Sequence, residues 1–320
     1  YESDRGIPGA IVRNHFGARG QTLVDKNYFV QGSYQIRFGK LESKLNAKWA
    51  YDQTKYTDTV TTIKVRNQYL QKELYVSWST VYRYNKRFST SFSADYQYNT
   101  LDANLKNFSY PTRNSYWLAL ATSYQDDYLS VQGSVLGTFV QEKVELNTKS
   151  PNKAVWQPSV LLNYKPSKEV DFSVRGFYKK ACRMPTFNDL YYTNIGYSNL
   201  KPEMAVQYNL GAVYRKSFDH FINAFEIQTD VYYNEVLDKI IAAPNGSMFR
   251  WMMMNLGKVK IKGLDAKAKV SWHHEDFTGV LGLNYTYQKA QDFSSPKDNF
   301  YKHQIPYVPF HSGSFTTQTQ

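Results

Sequence analysis

The chain is poor in several things that would support a conventional fold. It has 320 residues and one cysteine, Cys182, so no disulfide can form within it. Cys182 reads as a small, partly buried hydrophobe. Glycine and proline number only 17 and 11, so each one that interrupts a pattern has meaning. No window approaches the ~18 consecutive apolar residues of a membrane helix, which excludes helical spanning. The formal charge is +12, but Lys and Arg are scattered singly, with neither a basic run nor a helix-borne stripe. That distribution speaks against nucleic acid as a partner. No secretory signal precedes Tyr1, so any export address is expected upstream.

What the chain has is aromatic residues, with 28 Tyr and 19 Phe, and alternation. In "RFSTSFSADYQYNT", Phe88, Thr90, Phe92, Ala94, Tyr96 and Tyr98 share one parity, and Ser89, Ser91, Ser93, Asp95, Gln97 and Asn99 the other. Successive side chains of a strand point to opposite faces, so this segment has one greasy and one wet face. The same alternation recurs from Leu41 to Asp52, from Phe225 to Asn234 and from Leu281 to Gln288. Weaker versions fill most of the rest, and no helical period competes. The count comes to roughly thirteen strands. Mean hydropathy is negative, which does not exclude a barrel, because alternation halves the hydropathy of each strand.

The connections fall into two classes that alternate. Short ones include "RFGKLE", "RYNKR", "YQDDYL" and "RKSFDH". Long ones are expected at 53–66, 100–113, 145–154, 181–204, 240–250 and 291–306. A soluble sandwich with a Phe/Tyr core has no reason to put all tight turns at one end. An outer-membrane barrel does, with short periplasmic turns and long extracellular loops. The pattern breaks once. Val259 and Ile261 are apolar on the odd parity, whereas Leu264, Ala266, Ala268, Val270 and Trp272 are apolar on the even one. Gly263 lies at the switch, where a β-bulge would restore the face.

Several short stretches carry a family resemblance: "YESDRGIPGAIV", "ACRMPTFNDLYYTNIGYSNLKPEMAVQYNLG", "YYNEVLDKIIAAP", "WMMMNLGKVKIKGLDAKAKV" and "HQIPYVPFHSG". Together they resemble the barrel of a TonB-dependent outer-membrane receptor, especially the Bacteroidetes type, from residue 1 to about residue 313. The most specific part is Arg183-Met184-Pro185-Thr186-Phe187 with Asp189-Leu190-Tyr191, then Asn199-Leu200-Lys201-Pro202-Glu203. In that family such segments bracket an extracellular loop. "IKGLD" is similar to its Gly-x-Glu motif, with Asp265 in place of Glu.

The resemblance implies an all-β, transmembrane antiparallel barrel of about 22 strands closed by an N-terminal plug. Residues 1–320 are then expected to be an incomplete barrel domain, lacking the plug and the last strands. The implied function is active uptake of a scarce large solute such as a ferric siderophore, cobalamin or haem-like chelate. It is energised by the TonB complex through the plug, in outer-membrane lipid, with a surface lipoprotein as a further partner. No cofactor, metal site or catalytic residue is implied. A passive porin or an adhesin and docking barrel are the alternatives. No His stands between Pro185 and Asn199, which counts against haem.

Within the bracket, Arg183, Phe187, Asn188, Tyr191, Tyr192 and Tyr197 are the ligand-binding candidates, the tyrosines foremost for their large rigid surface and polar tip. Pro185, Asn199, Pro202, Glu203 and Gly263 read as structural. Pro185 and Pro202 end ladders by removing a donor, and Arg183 and Glu203 are placed to pair across the strand ends. The run from His273 to Asp276 reads as a polar turn, because adjacent strand residues point apart. Met248 and Met252-Met253-Met254 read as loop-end packing.

Overall fold

The computed structural model describes residues 2–6, 21–58, 65–192, 195–245, 250–274, 277–297, 299–305 and 308–319. Fourteen strands follow one another: β1 (Glu2–Gly6), β2 (Gln21–Phe38), β3 (Leu41–Asp58), β4 (Val65–Arg83), β5 (Phe88–Ala103), β6 (Thr112–Gln125) and β7 (Leu129–Lys143). Then come β8 (Lys153–Tyr164), β9 (Asp171–Arg183), β10 (Glu203–Ser217), β11 (Ile222–Asn245), β12 (Arg250–His274), β13 (Phe277–Asp292) and β14 (His311–Thr319). Among the described residues a single five-residue helix, α1 (Phe187–Tyr191), lies between β9 and β10. Five-residue β1 is too short to show an alternation, so the count exceeds the thirteen read from the pattern. Each strand pairs antiparallel with its sequence neighbour, and among the described residues β1 and β14 pair on one side only.

The register makes the two faces continuous. Tyr96 stands opposite Val76 and Tyr116, and Tyr116 opposite Phe139. Tyr178, Tyr208 and Tyr233 form a direct cross-strand ladder. The ring centroids of Tyr96 and Tyr116, and of Tyr178 and Tyr208, are 5.2 Å apart, contacts that add about 0.2–1 kcal/mol per pair. A second aromatic row (Phe38, Tyr82, Phe88, Tyr124, Tyr164) runs along the short-turn end, and Leu45, Ala94, Leu120, Val160, Leu210 and Leu283 fill the band between.

This face is inside out by the standards of a soluble protein. Leu120 and Leu210 are 55% and 57% exposed, whereas Ser115 and Thr138 on the other face are 2% and 3% exposed. A contiguous exposed apolar belt between two aromatic girdles is a lipid-facing surface. The other face is a polar lattice: Arg175 donates to Asp230 at 3.2 and 2.6 Å, Lys48 pairs with Glu73 at 3.1 Å, and Gln97 donates to Glu73 at 2.8 Å.

The two ends differ as the sequence suggests. Segments 39–40, 84–87, 126–128, 165–170 and 218–221 turn at one end; 104–111, 144–152, 184–202 and 293–310 connect strands at the other. At the short end Gly39 has φ 57°, which glycine adopts without penalty. The Asp126 carboxylate accepts from Leu129 N and Tyr128 N at 2.8 Å, and these amides hold its pKa below the usual carboxylate range. Two expected long loops, 53–66 and 240–250, are mostly strand, with β3 running to Asp58 and β11 to Asn245. Strands β2 to β13 have 12 to 25 residues, more than the ~9–11 that cross a bilayer. Where they emerge into water, lipid no longer imposes alternation, and a paired strand then resembles a loop in sequence.

The same cause corrects the expected bulge at Gly263. Register runs unbroken through Gly263 on both sides, from Val231↔Leu264 to Glu235↔Lys260 and from Leu264↔Tyr287 to Ile261↔Ala290. The only register shift between β11 and β12 is at Ile222/Ala224. Lys258, Lys260 and Lys262 therefore share the face of Leu264 and Trp272, and Val259 and Ile261 lie on the polar face beneath the connections, where Val259 is 1% exposed. The apolar parity switches because β12 leaves the membrane. Gly263 serves a different purpose: a Cβ there would sit 2.3 Å from Cζ and Oη of Tyr232, whose ring lies over it.

Gly263→Val is thus expected to destabilise the barrel by about 1–3 kcal/mol through overpacking, read as a lower temperature for loss of the compact, heat-modifiable gel band. In a Tyr232→Ala background most of that loss should vanish. An equal loss in both backgrounds would contradict the assignment.

Candidate functional site

Three long connections fold together over the polar face at the extracellular end. Phe108, Leu190, Tyr191 and Leu200 are buried against Leu101, Ala103 and Ile240, with Met253 packed alongside. Asn107 and Asn147 take left-handed φ of 58° and 69°, and Asn147 Nδ2 donates to Asn107 O at 3.0 Å and Ser109 Oγ at 3.1 Å. Connections 104–111 and 144–152 are thereby tied together. The third, 184–202, opens with a capping box. Asp189 N donates to Thr186 Oγ1 at 3.2 Å and Thr186 N to Asp189 Oδ2 at 2.8 Å, satisfying two of the helix's orphan donors. At Gly196 a Cβ would lie 2.7 Å from the Leu190 carbonyl, so the chain folds back over α1.

A buried ionic node holds this assembly to the wall. Arg113 and Glu142 are direct cross-strand partners, and the Glu142 side chain is fully buried. Arg113 Nε donates to Glu142 Oε1 at 3.0 Å, its Nη2 reaches Pro185 O at 2.8 Å, and its guanidinium lies 4.8 Å from the Phe187 ring centroid. The Tyr191 hydroxyl donates to Glu142 Oε2 and accepts from Ser150 N at 3.0 Å. Burial, then the bond to Glu142, push the Tyr191 phenol well up, so it stays a neutral donor. Burial lowers the Lys153 amine, which donates to Ser150 Oγ and Pro151 O. Removing one partner from such a charge pair typically costs 3–5 kcal/mol, against a smaller net worth for the pair itself.

The bracket residues fall into three positions. Arg183 pairs with Asp189 at 3.2 Å and with Glu203 at 3.7 Å, so the strand-end pairing expected from sequence is present. Glu203 also accepts from Ile240 N at 3.1 Å. Pro185 is buried with its carbonyl on Arg113, and β9 ends at Arg183 while β10 starts at Glu203, just outside Pro185 and Pro202. Asn199 is exposed at the rim. Tyr191 and Tyr192 and exposed Tyr197 line an outward cavity of about 640 Å³, shared with Asn107, Asn147 and Ser198. Tyr192 stacks on Tyr69 with centroids 6.3 Å apart. Phe187 and Asn188 face the other way, into a chamber of about 390 Å³ walled by Gln71, Gln97, Asn99 and Ser115 of the polar face. Helix α1 thus partitions an outer from an inner compartment.

Sequence reasoning missed Arg113, Glu142, Ser150 and Asn255. Asn255 clasps Lys201 by both backbone atoms, at 2.9 and 3.0 Å. It also missed Pro158, the point where pairing of β8 with β9 stops. Beyond it Cys182 N finds the Gln157 side chain at 2.8 Å instead. A proline inside a strand pattern was the available signal. Met253 packs inward while Met252 and Met254 are exposed, as alternation requires. Met248, Glu275 and Asp276 fall outside the described residues.

Comparison with known proteins places this geometry. The family described as TonB dependent receptor-like, beta-barrel matches residues 4–319. A stretch of 116 residues, 36% of this chain, is 31% identical to the vitamin B12 transporter BtuB of Vibrio vulnificus (strain YJ016) and covers 16% of that protein. Among solved structures, the copper transporter OprC superposes with a TM-score of 0.73 at 13% identity, over 93% of this chain and 50% of OprC. The Serratia marcescens hemophore receptor HasR, solved with its hemophore HasA and heme, gives 0.70 at 13%, over 94% and 56%. The siderophore receptor PirA of Acinetobacter baumannii gives 0.66 at 15%, over 95% and 49%. At these identities the structural likeness is one of fold, and the chain spans about half the length of these receptors.

If the ionic node latches 184–202, Tyr191→Phe should speed hydrogen exchange of the amides in 195–202 about tenfold in the full-length protein, the loss of one or two buried bonds. Exchange in the membrane strands should not change. Unaltered exchange in 195–202 would mean that the apolar cluster alone holds the connection.

Proposed function

Because the chain belongs to the TonB-dependent receptor β-barrel family, we propose that it forms part of the wall and the outer mouth of an active transporter for a scarce large solute. Proteins of this family are outer-membrane transporters, not enzymes. The observation that supports the reading most is the double compartment. An outer cavity of about 640 Å³ carries three tyrosines, and an inner chamber of about 390 Å³ lies behind α1. Pockets of this size class suit compact organic ligands, and a larger chelate would seat only part of itself there.

In this reading Tyr192 and Tyr197 make first contact, with Asn107 and Asn147 supplying amide groups. Tyr191 gives its ring edge while its hydroxyl stays on Glu142. Arg183 holds the bracket through Asp189 and Glu203, with Asn199, Pro202 and Pro185 fixing its ends. Phe187 and Asn188 meet the solute only after α1 moves. That β1 and β14 pair on one side only among the described residues supports closure by further strands, and a plug elsewhere in the polypeptide would couple to the TonB complex. Cobalamin, a ferric siderophore and a haem-like chelate are the solutes to try first. The local likeness to a B12 transporter and the fold likeness to siderophore and hemophore receptors motivate that order. HasR bound to HasA makes a surface protein, such as a lipoprotein, a second kind of partner to probe.

Two measurements on the full-length protein test this. Tyr197→Ala should weaken binding of the recognised solute about five- to tenfold, as loss of an aromatic anchor does, with the barrel intact by gel mobility. In a planar bilayer the unliganded protein should be silent once insertion is verified independently. A large steady ohmic conductance would contradict gated transport and indicate a passive porin.

A further inference from the structure

The outward face of the sheet changes character just above the lipid belt. On β11, β12 and β13 the row Val231, Leu264, Tyr287 is the last apolar one. The next row outward is Tyr233, Lys262, Lys289, and the one after it is Glu235, Lys260, Gln291. Lys262 and Lys289 are direct cross-strand partners. Like charges opposite one another destabilise a sheet unless an anion lies between them. Neither makes an ion pair among the described residues, and Glu235, the nearest acid on this face, is engaged by Lys258.

The rows enclose a cavity of about 620 Å³. Its sides are aromatic: Lys260 Nζ stands 4.6 Å from the Phe293 ring centroid and Lys262 Nζ 5.8 Å from that of Tyr233. The rings hold the ammonium groups in place without neutralising them. Leu264 and Tyr287 form the floor and continue into the belt.

We propose that this surface binds a phosphate on the headgroup of an outer-leaflet glycolipid. Lys260, Lys262 and Lys289 line one cavity, and its floor, Leu264 and Tyr287, is the last row of the apolar belt, so the anion that fits it best is one carried on a lipid. A free phosphate would satisfy the lysines but leave Leu264 and Tyr287 uncovered. A lipid satisfies both, its acyl chains lying along Val231, Leu264 and the residues beneath. Occupancy would also relieve the Lys262–Lys289 repulsion, so the lipid becomes part of the wall that carries the extracellular ends of β11 to β13.

The test uses the full-length receptor, stripped of lipid in mild detergent and titrated with lipopolysaccharide whose lipid A phosphates are present or have been removed. The double variant Lys262→Gln/Lys289→Gln should bind the phosphorylated glycolipid about thirtyfold more weakly and the single variant Lys289→Gln about fivefold, at about one such factor per lysine near a lipid surface. Dephosphorylated glycolipid should bind wild-type protein as weakly as the intact lipid binds the double variant. Lys86→Gln, in a turn at the opposite end, should have no effect. Equal affinity of wild type and the folded double variant overturns the proposal, as does an equal loss in Lys86→Gln. If inorganic phosphate displaces the glycolipid at comparable concentration, the site is one for a free anion and the lipid assignment fails. Should the double variant lose its heat-modifiable band, the single variant decides.

Discussion

Backbone hydrogen bonding in lipid is the constraint from which the rest of this structure follows. No water is available inside a bilayer, so each N–H and C=O must find a partner within the sheet. Register accordingly runs without a shift through most of the sheet: β8 parts from β9 at Pro158, and the single shift between β11 and β12 sits at Ile222/Ala224, beside a turn. Unbroken register has a second effect. It locks every side chain to one face for the full length of a strand, so Leu120, Tyr116 and Trp156 all meet lipid while Ser115, Gln157 and Asp230 all face inward.

Locked faces also explain where the chemistry sits. A strand that rises beyond the membrane keeps its inward parity, and there the inward positions can be apolar because incoming connections cover them. Val259, Ala290, Leu101 and Val140 are buried in this way. The apolar cluster packs the connections over the polar face, and the Arg113–Glu142 pair with Tyr191 fixes them to a defined place on the wall. A buried pair of this kind adds little net stability relative to apolar packing. Its effect here is positional: one carboxylate aligns Pro185 through Arg113 and Ser150 through Tyr191. The outer and inner compartments exist because α1 is held between them.

Much of this was legible in the sequence. Alternation identified the strands and, with the contrast between tight turns and long connections, the membrane setting. Arg183 and Glu203 could be paired from their places at two strand ends, because that inference needs only local order. Gly263 could not be read correctly. Its parity switch has two physical causes, a bulge or an exit from lipid, and sequence alone does not separate them. Arg113 and Glu142 were invisible for another reason: they become partners only through the register of β6 and β7, with Pro185 and Tyr191 arriving from a connection far along the chain. Helix α1 was hidden by its length, although Thr186 and Asp189 carry the spacing of a capping box. Strand ends above the membrane read as loops because lipid no longer imposes alternation there.

The central claim is that one face of the sheet meets lipid and the other a wet interior. The most direct measurement is a nitroxide scan along β5 in the full-length protein reconstituted into bilayers, with Cys182 replaced by alanine. Labels at Phe92, Ala94 and Tyr96 should collide with dissolved oxygen and be shielded from a water-soluble nickel chelate. Labels at Ser91, Ser93 and Asp95 should show the reverse, giving a period of two across the strand. Loss of that period, or chelate access on both faces, would contradict the account.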